Sequence, residues 1–379
     1  MRTMAKQDSC TVGQVADELD RIAPPHLAQS WDNVGLLVGD RRASCEGVLL
    51  CIDLTPPVLA EAVRAAARFI FAYHPPLFAP VKRLRADSGG TEAIVHRAIA
   101  LGMALYASHT ALDAAEGGTN DVLAELAGLS ATEPFEYVHS PNAQVKLVTF
   151  VPAGDLDRVA EAMFAAGAGR IGDYEQCSYR LAGEGTFFGT EGTQPRVGRK
   201  GRLERVEEMR LETVVARSRL HEAVAALRTH HPYEEPAFDI YPLEPPPCRG
   251  IGRVGTLPAG TRLGVLADRL KRATGSKVAT LVGSPKTVVR RAAVCAGAAG
   301  RLPLEKPLST DCDVVITGEM RHHDALTLLR QGKTAVVLGH WESERPVLGV
   351  LARRLKRALG AIPVRVSRSD AGPFARVGR

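Results

Sequence analysis

The chain has 379 residues, of which 45% are hydrophobic, 24% charged and only 5% aromatic. This exceeds the roughly 100 to 200 residues of one ordinary core, so two or more domains are expected, and the composition excludes a disordered chain, a collagen-like repeat and a small disulfide scaffold. Lys+Arg 48 against Asp+Glu 42 gives a net charge of +6, spread along the chain instead of gathered on one face among aromatics, so nucleic acid is not the favoured partner.

In chain order, Thr11 and Gln14 stand at capping-box spacing and predict a helix over about Val12–Ile22. The apolar runs GVLLCID (Gly47–Asp53), FIFAY (Phe69–Tyr73) and MALYAS (Met103–Ser108) read as strands, separated by helical patterns over Pro57–Ala67 and Thr91–Ala100. Such a β-α-β-α-β order predicts a parallel sheet. From about Lys146 to Leu243 the order becomes β-α-β-β-α-β, with opening strand KLVTFVP, helices over Asp155–Ala166 and Arg219–Thr229, a Gly-rich crossing from Gly183 to Gly201 and closing strand AFDIYPL. That is the split βαβ signature of ferredoxin-like folds. LEPPPC (Leu243–Cys248) reads as a stiff exit linker, and the basic run Arg196–Arg205 as a solvated loop. Strands over Arg291–Ala296, Asp313–Thr317 and Thr334–Gly339, a helix over Arg321–Arg330 and a long helix ending near Leu359 then restore the α/β style. The expected fold class is an α/β domain split by an α+β insertion: residues 1–140 and 249–379 form its halves, and 146–243 the inserted module.

No run reaches the roughly 20 apolar residues that span a bilayer, and the opening MRTMAKQDSC lacks the apolar core of a signal peptide. The expectation is a cytoplasmic protein without membrane association. Seven cysteines (Cys10, Cys45, Cys51, Cys177, Cys248, Cys295, Cys312) are odd in number and contain no C-x-x-C pair. They argue for reduced, mainly buried thiols rather than a disulfide framework or zinc ribbon.

Chemistry-bearing residues concentrate where three predicted strands end, which is where an open parallel sheet places its ligand site. Tyr73-His74-Pro75-Pro76 follows one strand, SHTALDAAEGGTND with His109 and Asp113 follows another, and His340-Trp341-Glu342-Ser343-Glu344 follows a third. His109 and Asp113, like His340 and Glu344, are four apart, which puts each pair on one face of a helical turn. Imidazole with carboxylate suits Zn, Fe, Mn, Co or Ni, and a carboxylate bridging two ions is one way to activate water. Two other motifs fall away. GIGRVG (Gly250–Gly255) follows a Pro-rich segment instead of a strand, and Gly332-Lys333-Thr334 lacks the earlier glycine of a phosphate loop, where Thr327 stands. No G-x-S-x-G elbow is present either.

Taken together, WDNVGLLVGD (Trp31–Asp40), YHPPLF (Tyr73–Phe78), SHTALDAAEGGTND (Ser108–Asp121), DVVITGEMRHHDAL (Asp313–Leu326) and GHWESE (Gly339–Glu344) closely resemble, in order, the NIF-three-like family of dinuclear metal-centre proteins, also called GTP cyclohydrolase 1 type 2 homologues. The inserted segment, with GAGRIGDYEQCSY, GTFFGTEGTQPRVG and HPYEEPAFDIYPL, resembles the CutA or PII-like module of longer members. The resemblance implies a split NIF-three-like α/β domain, a toroidal homohexamer and two divalent metal ions per subunit facing an inner cavity. It implies His74, Asp113, His340 and Glu344 as metal ligands, with Glu344 as bridge. Bacterial members commonly carry two consecutive histidines where this chain has Tyr73-His74. A phenol with an ordinary pKa near 10 is a poorer ligand, so that position either binds weakly, uses Tyr73 as phenolate, or recruits His109.

His109, Glu319 and His323 are the candidates for supporting the ligands or moving protons, His323 rather than His322 because it matches a motif position; Asp32 and Asn33 are candidates for lining the pocket. The leading function is metal-dependent hydrolysis of a nucleotide-like substrate. The rivals are a metal chaperone or insertase without turnover and a scaffold whose metals are structural.

Overall fold

The structure, a computed structural model, describes residues 10–138, 144–243, 249–305, 311–360 and 362–375. The chain divides into two units, Met1–Val138 with Pro246–Arg379, and His139–Pro245.

The first unit is built on two main sheets. In the five-stranded sheet the order is Gly35–Val38, Ala104–Ala107, Phe69–Ala72, Val48–Cys51 and Val364–Val366; the last four strands run parallel and the first antiparallel. The three central strands are buried throughout because both faces are covered. Leu50, Phe69, Phe71 and Tyr106 pack toward helices Val12–Ile22 and Pro346–Leu359, whereas Leu49, Ile70 and Leu105 pack toward Pro56–Arg64 and Thr91–Ala100. The period-two alternation of a strand thus sorts one apolar run into two cores. Helix Val12–Ile22 carries the cap its spacing predicts: Gln14 N donates to Thr11 Oγ1 at 3.2 Å and Thr11 N to Gln14 Oε1 at 2.8 Å.

The six-stranded sheet has the order Thr280–Val282, Thr334–Val337, Val314–Thr317, Arg291–Cys295, Arg253–Thr256 and Ser130–Glu133. Its second, third and fourth strands are parallel and the flanking pairs antiparallel. The two halves of the chain exchange elements. Val364–Val366, from the end of the chain, edges the first sheet, while Ser130–Glu133, from the first half, edges the second. GIGRVG is here a bridge and a strand: Gly250–Ile251 pairs with Glu136–Tyr137, and Gly252 turns with φ +59° against the Phe135 ring, where a Cβ would meet ring carbon at 2.4 Å.

The second unit has an antiparallel sheet ordered Phe238–Pro242, Gln144–Val151, Leu203–Ala216, Ser178–Phe188. In the unit's own sequence that is fourth, first, third, second, the ferredoxin-like arrangement. Helices Leu156–Ala165 and Leu220–His230 share a core with Val145, Leu147, Leu211 and Val215. The crossing expected from Gly183 is shorter than its glycines imply, because Gly183 and Gly185 sit inside the strand ending at Phe188. Of the exit linker only Leu243 is among the described residues. Among the described residues no helix is long and apolar enough to cross a membrane. The described cysteines are free thiols, with Cys45, Cys51, Cys295 and Cys312 buried and Cys10 and Cys177 partly so; Cys248 lies outside the described residues.

Glu61, on helix Pro56–Arg64, fastens the C-terminal segment to the first sheet. Its carboxylate accepts from Ser367 Oγ at 2.6 Å, Arg368 N at 3.0 Å and Ser369 N at 2.8 Å. Burial by itself would raise its pKa, but the bonds from Arg368, Ser367 and Ser369 outweigh that and hold it at about 2, below the ordinary 4.5. A depressed carboxylate contributes stability that is complete above its unfolded pKa and lost as pH falls through the folded one. Glu61→Gln is therefore expected to lower unfolding stability by about 1 kcal/mol at pH 7, discounted for partial exposure. In urea titrations the gap between variant and parent closes as pH falls from about 5 to about 2.

Candidate metal centre

The strand registers bring the polar residues together. Val48–Cys51, Phe69–Ala72 and Ala104–Ala107 are paired Cys51 with Ala72 and Phe71 with Tyr106. Continued two or three residues past the strand ends, these registers set Asp53 beside His74 and His74 beside His109. His74 Nδ1 lies 2.9 Å from Asp53 Oδ1, and the His74 and His109 rings stand 5.1 Å apart, edge to face. His109 opens the short helix His109–Ala114 at φ +21°, a backbone angle uncommon for a side-chain-bearing residue, with Nδ1 at 3.0 Å from Asp32 Oδ1.

The second sheet supplies the opposing wall. Its parallel strands end at Cys295, Thr317 and Val337 and lead into Gly297, Gly318-Glu319 and Gly339-His340, where the helical turn His340–Glu344 begins. His340 Nδ1 lies 3.0 Å from Glu319 Oε1, its Nε2 is 3.1 Å from Glu344 Oε1, and its ring is 5.3 Å from that of His74. Glu344 is 3% exposed. Its Oε2 is buried with no hydrogen-bond partner and faces His74 Nε2 at 3.4 Å. A Cβ on Gly297, whose φ is +62°, would fall 2.2 Å from Glu344 Oε1 and 3.3 Å from His340 Nε2, so only glycine leaves this space open. One donor atom from each of His74, His340 and Glu344 lies within 4.8 Å of the others, a group that could hold a metal ion.

Each imidazole is thus fixed the same way, Nδ1 on a carboxylate. That arrangement sets the tautomer and aims Nε2 of His74 and His340 at Glu344, as in carboxylate–histidine–metal triads. The surrounding carboxylates favour protonation of both imidazoles. Burial opposes it, but Asp53 and Glu344 push His74 up to about 10; Glu344 and, against burial, Glu319 push His340 up to about 9. Burial likewise works to raise Glu344, yet the two imidazoles hold it below the ordinary carboxylate range.

Tyr73 and Asp113 form a separate pair. Tyr73, fully buried, donates its phenolic proton to Asp113 Oδ1, and Thr119 Oγ1 donates to the phenol oxygen at 3.3 Å. Burial first, then the charges of Asp113 and Glu344, drive the Tyr73 pKa far up, and burial raises Asp113 to about 6. Asn120 closes the arrangement, with Nδ2 donating to Asp113 O at 3.0 Å and Oδ1 accepting from Ala296 N at 2.9 Å.

Of the residues read from sequence, the structure therefore gathers His74, His340 and Glu344, places Glu319 on His340 and His109 beside His74, and sets Tyr73 and Asp113 against each other. His323 is exposed at the start of helix His322–Arg330 with its ring against that of His322, and among the described residues no hydrogen bond joins its ring to the cluster. Asp32 orients His109, and Asn33 donates to Leu77 O. Asp53 and Gly297 were missed. Asp53 had a signal, an acid ending the strand next to that of His74; Gly297 had none beyond its place after an apolar run.

The family model for Duf34/NIF3 (NGG1p interacting factor 3) matches residues 10–373. The chain belongs to the DUF34/NIF3 family. A protein named GTP cyclohydrolase 1 type 2 homolog from Mycobacterium tuberculosis is 39% identical over 366 residues, covering 94% of this chain and 95% of the relative. One of the same name from Halalkalibacterium halodurans is 38% identical over 330 residues, covering 86% and 88%. Among solved structures, a Bacillus cereus protein related to NIF3 aligns at TM-score 0.68 and 33% identity over 97% of this chain and 99% of that one. A Staphylococcus aureus protein aligns at TM-score 0.80 and 24% identity over 98% and 100%, a likeness of fold. The two-sheet α/β architecture with its insertion is thus that of the DUF34/NIF3 family.

Proposed function

We propose that this chain binds a divalent metal at His74, His340 and Glu344 and hydrolyses a nucleotide-like substrate beside it. The observation that carries the reading is the buried Glu344 carboxylate set between two imidazoles, its unbonded Oε2 facing His74 and its Oε1 facing His340, with the other nitrogen of each ring held by a carboxylate. A saturated structural site would close four protein donors around the ion; three leave a position for water or substrate. When bound, the ion supplies Lewis acidity that lowers the pKa of water toward neutrality. His109, oriented by Asp32 and with Nε2 unbonded among the described residues, stands beside His74 to take or return a proton. Trp31 and Phe78, each more than half exposed and 5.8 Å apart, form an aromatic shelf next to His109, 6.0 Å from the Trp31 ring. Such a shelf suits stacking of a flat base, and the relatives' name makes a guanine nucleotide the first substrate to try. A toroidal homohexamer belongs to the same reading and is tested by sedimentation, which should give a mass near six chains of 40.6 kDa.

The test is chromatography of GTP and related nucleotides incubated with metal-loaded protein. Expected is turnover lost in His340→Ala, with Trp31→Ala raising KM more than it lowers kcat. No turnover by fully loaded protein across the panel would overturn the hydrolase reading in favour of metal handling.

A further inference from the structure

We infer that the centre holds one divalent ion per chain, at His74, His340 and Glu344, and that the proton-carrying Tyr73 phenol, hydrogen-bonded to Asp113, takes the place of a second. The inference rests on the metal-binding reading above and sharpens its stoichiometry. Among the described residues only one group of three His, Cys, Asp or Glu donors lies close enough together to hold an ion, and it omits Asp113 and His109. A second ion would need Asp113 with two further donors. Asp113 instead accepts the Tyr73 proton, and that phenol oxygen in turn accepts from Thr119. His109 stays outside that group, with its ring 5.1 Å from that of His74 and Nδ1 on Asp32.

The substitution is electrostatically coherent. Asp113 and Glu344 are two carboxylates facing one small site, and an ion between them would offset their repulsion. Here a hydrogen bond from the neutral phenol to Asp113 does part of that work without adding charge, while Glu344 is left to the imidazoles. Tyr73 has no exposed surface, so water cannot replace it, and a metal would reach the phenol only after breaking its bond to Asp113. Histidine at this position would offer a ring nitrogen, a better ligand near neutral pH than a phenol whose ordinary pKa is about 10.

The experiment is metal content per chain on full-length protein reconstituted with excess Mn2+ or Zn2+ and desalted, with electron paramagnetic resonance of the Mn2+ samples. Expected are about one equivalent and an uncoupled Mn2+ spectrum in the parent, about two equivalents with exchange coupling in Tyr73→His, and none in His340→Ala. Two coupled ions in the parent overturn the single-ion inference and leave the centre standing. One equivalent in both parent and folded Tyr73→His overturns Tyr73 as the cause. No metal in the parent overturns the centre itself. The parent's count and spectrum decide the stoichiometry whether or not the variant folds.

Discussion

Glu344→Ala is expected to weaken divalent-metal binding by about 10³-fold or more, read by competition with a coloured chelator. Glu344 is the sole anionic donor of the three-residue group and contributes its buried oxygens between His74 and His340. Losing it leaves two neutral imidazoles with nothing to offset the ion's charge, and the cavity kept open by Gly297 fills with water. Asp53→Asn makes the informative comparison, because it touches His74 only through Nδ1. A residue acting through a ligand typically costs 10- to 100-fold, so the order should be Glu344→Ala, then Asp53→Asn, then parent. In the parent, binding must displace protons that His74 and His340 hold up to about 10 and about 9, so affinity climbs as pH rises across neutrality. Parental affinity in Glu344→Ala would show that the ion sits elsewhere.

The parts of this site that sequence could show are those decided within one element. His340 and Glu344 are four apart on a single helical turn, and His74 directly follows a strand whose unbroken apolar run marks it as parallel and buried. The partners of their Nδ1 atoms are decided by register between strands, which one sequence does not fix. Cys51 opposite Ala72 is what carries Asp53 to His74. The same holds for the fold. The helix Val12–Ile22 was legible because its cap is local. The exchange of edge strands was not, since Val364–Val366 alternates over only three residues and Ser130–Glu133 is mostly exposed, which is too little apolar pattern to read. Arg253 hid in a glycine-rich string that imitates a nucleotide motif and is instead a buried strand residue.

That arginine carries the second large expectation: Asp121→Ala should lower unfolding stability by about 3 to 5 kcal/mol, because removing one partner strands the other's charge in the interior. Arg253 is 1% exposed. Its guanidinium binds Asp121 through both Nε and Nη2, the latter at 2.8 Å, and spends its remaining protons on Gly250 O at 2.9 Å, Gly252 O at 2.6 Å and Ala115 O at 3.3 Å. Asp121 also accepts from Gly117 N at 2.7 Å and sits in the first turn of helix Thr119–Ala127, where a negative charge suits the helix dipole. Asp121 belongs to the first half and Arg253 to the second, so the pair ties the halves at the helix start that also presents Thr119 to Tyr73 and Asn120 to Asp113 and Ala296. Adding Arg253→Met to Asp121→Ala should recover part of the loss by removing the stranded charge, though not all of it, since three carbonyls then lose the bonds that Arg253 donates. Urea titrations of the two single variants and the double give the coupling directly. A cost below about 1 kcal/mol for Asp121→Ala would mean that water reaches Arg253 and that the halves are held around the site by packing alone.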